Sequence, residues 1–219
     1  MYNANKENLA LENFDLRSKY NLHKVLDQGY CENCWSLSIT SCFSDIILIA
    51  SRGSLNVAFD VSSFAKENKV GKGDECYGGS MSISTMKNFK MNGCLTKRGE
   101  RYYPKDVVMI SGEESIKSYI LSTGPVIALM KLYYTNDNRD LNNFSEGIYG
   151  KEFLKNPNIQ GIDKTSHFVT IVGWGKLGSD KYWIIRNTWG PNFADHGYFK
   201  ILRGIGMCGI ESQAFAIIV

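Results

Sequence analysis

With 219 residues, 43% of them hydrophobic, the chain holds enough apolar material for one globular unit or two tightly packed lobes. A net charge of +3, with basic residues scattered and no run of five, gives no argument for a nucleic-acid partner. No apolar stretch approaches the roughly 20 residues that a membrane span requires. Six cysteines fall short of a disulfide scaffold, fit one or two bridges plus free thiols, and leave the compartment open.

The first ten residues, Met1 to Ala10, are polar and Asn-rich and do not read as a signal peptide. From Cys34 to Ser51, apolar residues at Trp35, Ile39, Cys42, Phe43, Ile46, Ile47 and Ala50 recur at spacings of three and four. That pattern predicts a helix with one wide apolar stripe, which Asn33 would cap and Gly53 would end. Cys34 then sits in the first turn, where unpaired N–H groups and the helix dipole favour negative charge. A second helix is predicted over 80–91, on Ile83, Met86 and Phe89. A third is predicted over 113–121, behind a Ser111-Gly-Glu-Glu114 capping box. After Pro125 the texture changes to short β-branched and aromatic runs at 126–134, 167–173, 181–187, 197–202 and 213–219. The layout is α+β, with a mainly helical first half, a mainly antiparallel second half and a cleft between two lobes.

The strongest local signal is Gln28-Gly-Tyr-Cys31-Glu-Asn-Cys34-Trp35-Ser. It resembles the papain family of cysteine peptidases, whose pattern runs Gln, a disulfide-forming Cys, Gly-Ser, then the nucleophilic Cys and Trp. Ser-His167-Phe-Val-Thr-Ile-Val-Gly-Trp-Gly is similar to the family's histidine strand, and Ile-Ile-Arg-Asn187-Thr-Trp189-Gly to its asparagine turn. The spacing also agrees, since in that family His and Asn follow the Cys by roughly 130–150 residues. Leu11-Glu-Asn-Phe-Asp-Leu-Arg17 resembles the start of a mature enzyme, and the tail from Gly197 to Gln213 resembles the cathepsin B branch.

The resemblance implies a papain-like two-lobed fold over 9–219, preceded by an extension over 1–8. The helical lobe would span roughly 20–110 and an antiparallel, β-barrel-like lobe roughly 111–219. It implies a cysteine-type endopeptidase working through a thiolate–imidazolium pair and an acyl-enzyme, with no cofactor and no metal. Cys34 would be the nucleophile, His167 its proton-transfer partner, Asn187 the group orienting the ring, and the Gln28 amide with the Cys34 N–H the oxyanion hole. Trp189 would shield the Asn–His hydrogen bond. Cys31 and Cys76 would form a disulfide, the latter in Glu75-Cys76-Tyr-Gly78-Gly79, whose glycines would bind the extended substrate. Gln213 stands where the cathepsin B branch has a Glu at the floor of the S2 pocket, which implies an apolar P2 preference. Expected partners are polypeptide substrates and cystatin-type or pro-segment inhibitors, with the protein a monomer. The family setting is lysosomal, endosomal or secreted; a chain starting at Met without signal peptide or pro-segment leaves an intracellular or viral one open.

Two departures matter. Glu32-Asn33 replace the family's Gly-Ser. A carboxylate there would favour a basic residue in the substrate or oppose the thiolate. The inserted loop with paired histidines that makes cathepsin B a peptidyl-dipeptidase has no room between Gly93 and Pro125, which contains no His. The competing class is a papain-fold binding or structural protein whose activity the Glu32-Asn33 change has removed. A zinc reading of Cys31-x-x-Cys34 lacks a second ligand pair. His23 and His196 read as surface or loop residues, Cys42 as a buried thiol that Cys94 would be able to pair with, and Cys208 as unpaired.

Overall fold

The computed structural model describes residues 6–73, 76–77, 82–135, 138–151 and 161–219. In chain order the helical half holds α1 (Lys6–Leu9), β1 (Phe14–Asp15), α2 (Cys34–Ala50), α3 (Val61–Asn68) and α4 (Ile83–Asn92). Then come β2 (Cys94–Leu95), β3 (Arg101–Tyr102), β4 (Asp106–Ile110) and α5 (Glu113–Ser122). The rest is strand: β5 (Val126–Thr135), β6 (Asn138–Arg139), β7 (Ile148–Tyr149), β8 (Gly161–Leu177), β9 (Asp180–Arg186), β10 (Tyr198–Leu202) and β11 (Ala214–Ile218).

The expected stripe on α2 understates its burial, because every residue from Cys34 to Ile49 is buried. The polar positions tolerate this because they are small hydroxyls that bond back along the helix. Thr40 donates to Ser36 O at 2.7 Å, Ser41 to Leu37 O at 2.7 Å and Ser44 to Thr40 O at 2.9 Å. Ser38 instead donates across to the carbonyl of Phe168 on β8, at 2.9 Å. Asn33 occupies the cap position but its side chain makes no cap bond; its carbonyl accepts from the N–H groups of Ser36 and Leu37. The capping box before α5 is also absent, with Gly112 at the cap in a positive-φ conformation. On α4 the cap is Ser82, whose Oγ accepts from the Thr85 N–H at 3.1 Å.

One sheet takes the order β4-β11-β5-β8-β9-β10-β7, with β1 on β8 and β6 on β5. Its pairs are antiparallel except β7–β10, and the path stays open without closing into a barrel. Both faces are covered. Ile127, Phe168, Phe215 and Ile217 join α2, α3 and α4 in one core, around the stacked Phe43–Phe59 pair at 5.1 Å. Their alternating neighbours Val126, Ala128, Met130, Val169 and Ile171 join Ile116, Ile120, Trp174 and Trp183 in the other. Each large apolar side chain so buried contributes about 1.5–3 kcal/mol. β1 docks so closely on β8 that a Cβ on Gly173 would lie 2.3 Å from Phe14 O. The site lies where the start of α2 meets β8 and the end of β9.

Candidate active site

His167 lies within β8, opposite Met130 on β5, and is 4% exposed. Its Nε2 is 2.7 Å from Asn187 Oδ1. The same Oδ1 accepts from the Thr188 N–H at 2.8 Å, so the atom facing the ring is the oxygen and His167 carries its proton on Nε2. Asn187 follows the last residue of β9, and its own N–H donates to Gly197 O at 2.9 Å. Gly197 holds φ +86, and a Cβ there would lie 2.6 Å from Val25 Cγ1, so only glycine suits that acceptor position. The Trp189 indole stacks on the imidazole, 4.9 Å between centroids and 29° between planes, and Phe193 meets its edge at 5.1 Å.

Cys34 opens α2 and is 8% exposed. Burial is the largest influence on its thiol and pushes the pKa up; the N–H groups of Phe168, Trp35 and Cys34 pull it back, and the Glu32 carboxylate adds to the rise. Cys34 and Phe168, the residue that follows His167, belong to the same buried cluster. Net elevation runs against the expectation that the helix start alone lowers this pKa: for a residue this buried, desolvation outweighs the helix N–H groups.

Gln28 is held through both its main chain and its side chain. Its N–H donates to Thr188 O at 2.8 Å, Thr188 Oγ1 donates to its Oε1 at 2.6 Å, and its Nε2 donates to Cys31 O at 2.6 Å. A side-chain amide has two N–H donors, so one remains for a ligand. Cys31 and Cys76 form a disulfide across 45 residues of chain, worth roughly 4 kcal/mol in chain-entropy terms. Glu32 is exposed beside it. Gln213, half-buried ahead of β11, accepts from the Leu129 N–H through its carbonyl at 3.0 Å. Gly78 and Gly79 lie outside the described residues.

Thr188, which bonds both Gln28 and Asn187, went unnoticed in the sequence although it stands inside the asparagine turn. His23 lies in the loop before α2 and is partly buried, and it is tied down there: its Nδ1 lies 2.9 Å from Asp45 Oδ1, and Arg186 Nη1 donates to Asp45 Oδ2 at 2.6 Å. Arg186 and Asp45 are 2% and 0% exposed. Cys42 donates to Pro125 O at 3.2 Å, and neither it nor Cys94 or Cys208 is in a disulfide. Phe193 packs between Trp189 and Phe199. Among the described residues no helix is long and apolar enough to cross a membrane.

Comparison with known proteins agrees with this arrangement. The chain matches the papain family of cysteine proteases over residues 10–109 and 92–218. A cathepsin B-like cysteine proteinase 1 of Haemonchus contortus is 26% identical, covering 89% of this chain and 68% of its own. Cathepsin B-like CP1 of Giardia intestinalis is also 26% identical, over 93% and 72%. Among solved structures, proCathepsin B S9 from Trypanosoma congolense superposes with a TM-score of 0.77 at 23% identity, covering 98% of this chain and 80% of that one. Digestive procathepsin L2 from Tenebrio molitor larval midgut gives 0.75 at 25% identity, over 95% and 68%. The chain belongs to the papain family, near its cathepsin B branch, and is a cysteine peptidase with the papain-like α+β fold.

Proposed function

We propose that the protein is an endopeptidase that cleaves polypeptides through Cys34 and His167. The reading is carried by the 2.7 Å contact between His167 Nε2 and Asn187 Oδ1 on the strand that receives the start of α2, where Ser38 bonds the Phe168 carbonyl and Cys34 opens the helix. With Nε2 committed to Asn187, Nδ1 is the nitrogen that exchanges a proton with Cys34. The Cys34 proton passes to Nδ1 and the thiolate adds to the scissile carbonyl. The oxyanion takes up hydrogen bonds from the Cys34 N–H and the second Gln28 Nε2–H, each worth about 3 kcal/mol in comparable sites. His167 then protonates the departing amine, and the thioester is hydrolysed by water with His167 as base. Burial holds the proton on isolated Cys34, so the thiolate is formed by transfer inside the pair rather than by loss to solvent.

Trp189 shields the Asn187–His167 bond, while Glu32 and Gln213 line the substrate cleft, with an apolar P2 preference at Gln213. Endopeptidase action is supported by the stretch from Cys94 to Ser122, which is taken up by β2, β3, β4 and α5, with no histidine. Two of the structural neighbours are proenzymes; a pro-segment inhibitor, and a cystatin-type one, are the regulatory partners that fit this reading. So does a lysosomal, endosomal or secreted setting.

Labelling tests it. An epoxysuccinyl peptide at about pH 5.5, with the adduct located by mass spectrometry, is expected to modify Cys34 stoichiometrically. An ordinary thiol, pKa about 8.5, is almost wholly protonated there. Loss of labelling in Cys34→Ser and His167→Ala is the expected control. No adduct on folded, reduced protein would favour a binding protein instead.

A further inference from the structure

Helix α2 buries five hydroxyl side chains, and four of them bond within the helix or to its cap residue. Ser36 donates to Asn33 O, Thr40 to Ser36 O, Ser41 to Leu37 O and Ser44 to Thr40 O. Ser38 departs from this habit. The carbonyl four residues back, the usual acceptor for a helical serine, is that of Cys34. Ser38 Oγ donates instead to Phe168 O on β8, at 2.9 Å and 130 residues away in sequence. The strand leaves that carbonyl open. Leu129, which stands opposite Phe168 on β5, turns its N–H to Gln213 O on the other side. Opposed residues of an antiparallel pair turn their N–H and C=O groups the same way relative to each other, inward or outward together. Phe168 O therefore points away from β5, toward β9. The ladder between β8 and β9 reaches only to the Thr170–Arg186 pair, where β9 ends. A buried carbonyl beside His167 is thus left past the end of a ladder, and Ser38 satisfies it.

We infer that Ser38 is a positioning residue, whose bond to the Phe168 carbonyl sets the distance and angle at which the Cys34 sulfur meets the His167 ring. The inference rests on the peptidase reading of those two residues. Ser38 lies one helical turn, about 5.4 Å, from Cys34 on the same face of α2, and Phe168 is the residue after His167. One hydrogen bond therefore joins the neighbourhood of the thiol to the neighbourhood of the imidazole. The apolar packing of α2 on the sheet is non-directional and permits small slides. A hydrogen bond restricts both length and angle. Proton exchange between Sγ and Nδ1 needs that restriction, since a misplacement of about 1 Å is able to cost a hundredfold in rate. The Phe168 N–H, on the same edge of β8, is among the groups that lower the Cys34 pKa, so a slide of α2 also weakens the hold on the thiolate.

The test compares Ser38→Ala with Ser44→Ala, which deletes a hydroxyl of the same helix that bonds back to Thr40 O. Hydrolysis of a fluorogenic peptide gives kcat and KM. The rate of Cys34 modification by an epoxysuccinyl peptide, followed from about pH 4 to about pH 9, gives the midpoint of thiolate formation. Urea unfolding verifies that each variant is folded. Ser38→Ala should lower kcat about tenfold, leave KM within about twofold and raise the labelling midpoint by about one pH unit. Ser44→Ala should keep kcat and midpoint near the wild-type values. Where Ser38→Ala does not fold, Ser38→Cys carries the same comparison. Its thiol is a weaker donor of similar size, so the shifts keep their directions and shrink. A kcat and midpoint in the Ser38 variant equal to those of Ser44→Ala, or a loss confined to KM, would overturn the positioning role and leave the peptidase reading standing. A wild type that neither labels at Cys34 nor hydrolyses any peptide would instead overturn that reading, and the inference with it.

Discussion

Helix α2 is tied to the end of β9 at two places, each through a histidine, and the two ties differ in charge. At the helix start Cys34 meets β8 beside His167, whose ring is held by the neutral amide of Asn187. About three turns further along, Asp45 accepts from both His23 and Arg186. Arg186 and Asn187 are adjacent in the chain, so the ties share one stretch of backbone. In the second tie the anion is matched by the permanent cation of Arg186. In the first the orienting group carries no charge, so on the proposed mechanism an imidazolium at His167 would be balanced by the Cys34 thiolate. On that reading the amide makes the first tie switchable, while the carboxylate and Arg186 fix the second.

The largest effect should come from removing the switch. His167→Ala is expected to lower kcat/KM on any peptide substrate by about 10⁴-fold or more, as loss of a catalytic histidine does elsewhere. The remaining thiol should then show what burial alone does. Because burial and Glu32 push the Cys34 pKa up, its labelling rate in His167→Ala should rise only above the ordinary thiol range near 8.5. Adding Glu32→Gln should move that rise to lower pH. Equal labelling of wild type and His167→Ala at pH 5.5 would mean that the two ties do not differ in the way argued.

The fixed tie should show in stability. Asp45→Asn leaves Arg186 buried without its anion, a loss of about 3–5 kcal/mol in urea unfolding. Pairing Asp45→Leu with Arg186→Met should cost less than either change alone, since no charge is then stranded. Burial would raise the Asp45 pKa, but Arg186 and His23 outweigh it and hold it below the usual carboxylate range. A carboxyl whose pKa is lower folded than unfolded contributes stability that is complete above the unfolded value, about 3.9. That stability is lost as pH falls toward the folded value. Melting temperature should therefore fall on acidification below about pH 4 in the wild type and fall less in Asp45→Asn. The same slope in both would remove Asp45 from the account.

The switchable tie was legible in the sequence and the fixed one was not. Cys34, His167 and Asn187 each stand in a motif with a distinctive neighbour, Trp35, Phe168 or Trp189. His23, Asp45 and Arg186 come from three separate segments with no local pattern, and only the packing of α2 against β9 brings them together. The same contrast runs through the fold. α2 was readable from its periodicity, and the long strands from their β-branched and aromatic runs. α3, with only Phe64, Ala65 and Asn68 buried, offered too few periodic positions. β4 went unread because its run Val107-Val108-Met109-Ile110 becomes a strand through pairing with β11, near the far end of the chain. The burial of α2 on all sides was hidden by its serines and threonines, which look like a wet face until their back-bonds are seen.

The smallest expected effect concerns the loop from Gly190 to Gly197, which supports the switchable tie through Gly197 O and Phe193. Two non-glycine residues there, Ala194 at φ 41 and His196 at φ 52, occupy the left-handed region. That region costs an L-residue about 1–2 kcal/mol. Replacing Ala194 by Gly relieves the strain but frees the unfolded chain, so a net gain of about 0.5 kcal/mol in urea unfolding is expected. Arg186, one residue before Asn187, lies in the regular ladder of β9, and the loop's strain begins only beyond Trp189. If Ala194→Gly stabilises and leaves kcat/KM unchanged, the strain is incidental to the histidine's orientation. If it stabilises while lowering kcat/KM, the strained loop is what presses Trp189 onto His167, and the switchable tie is maintained at the expense of stability.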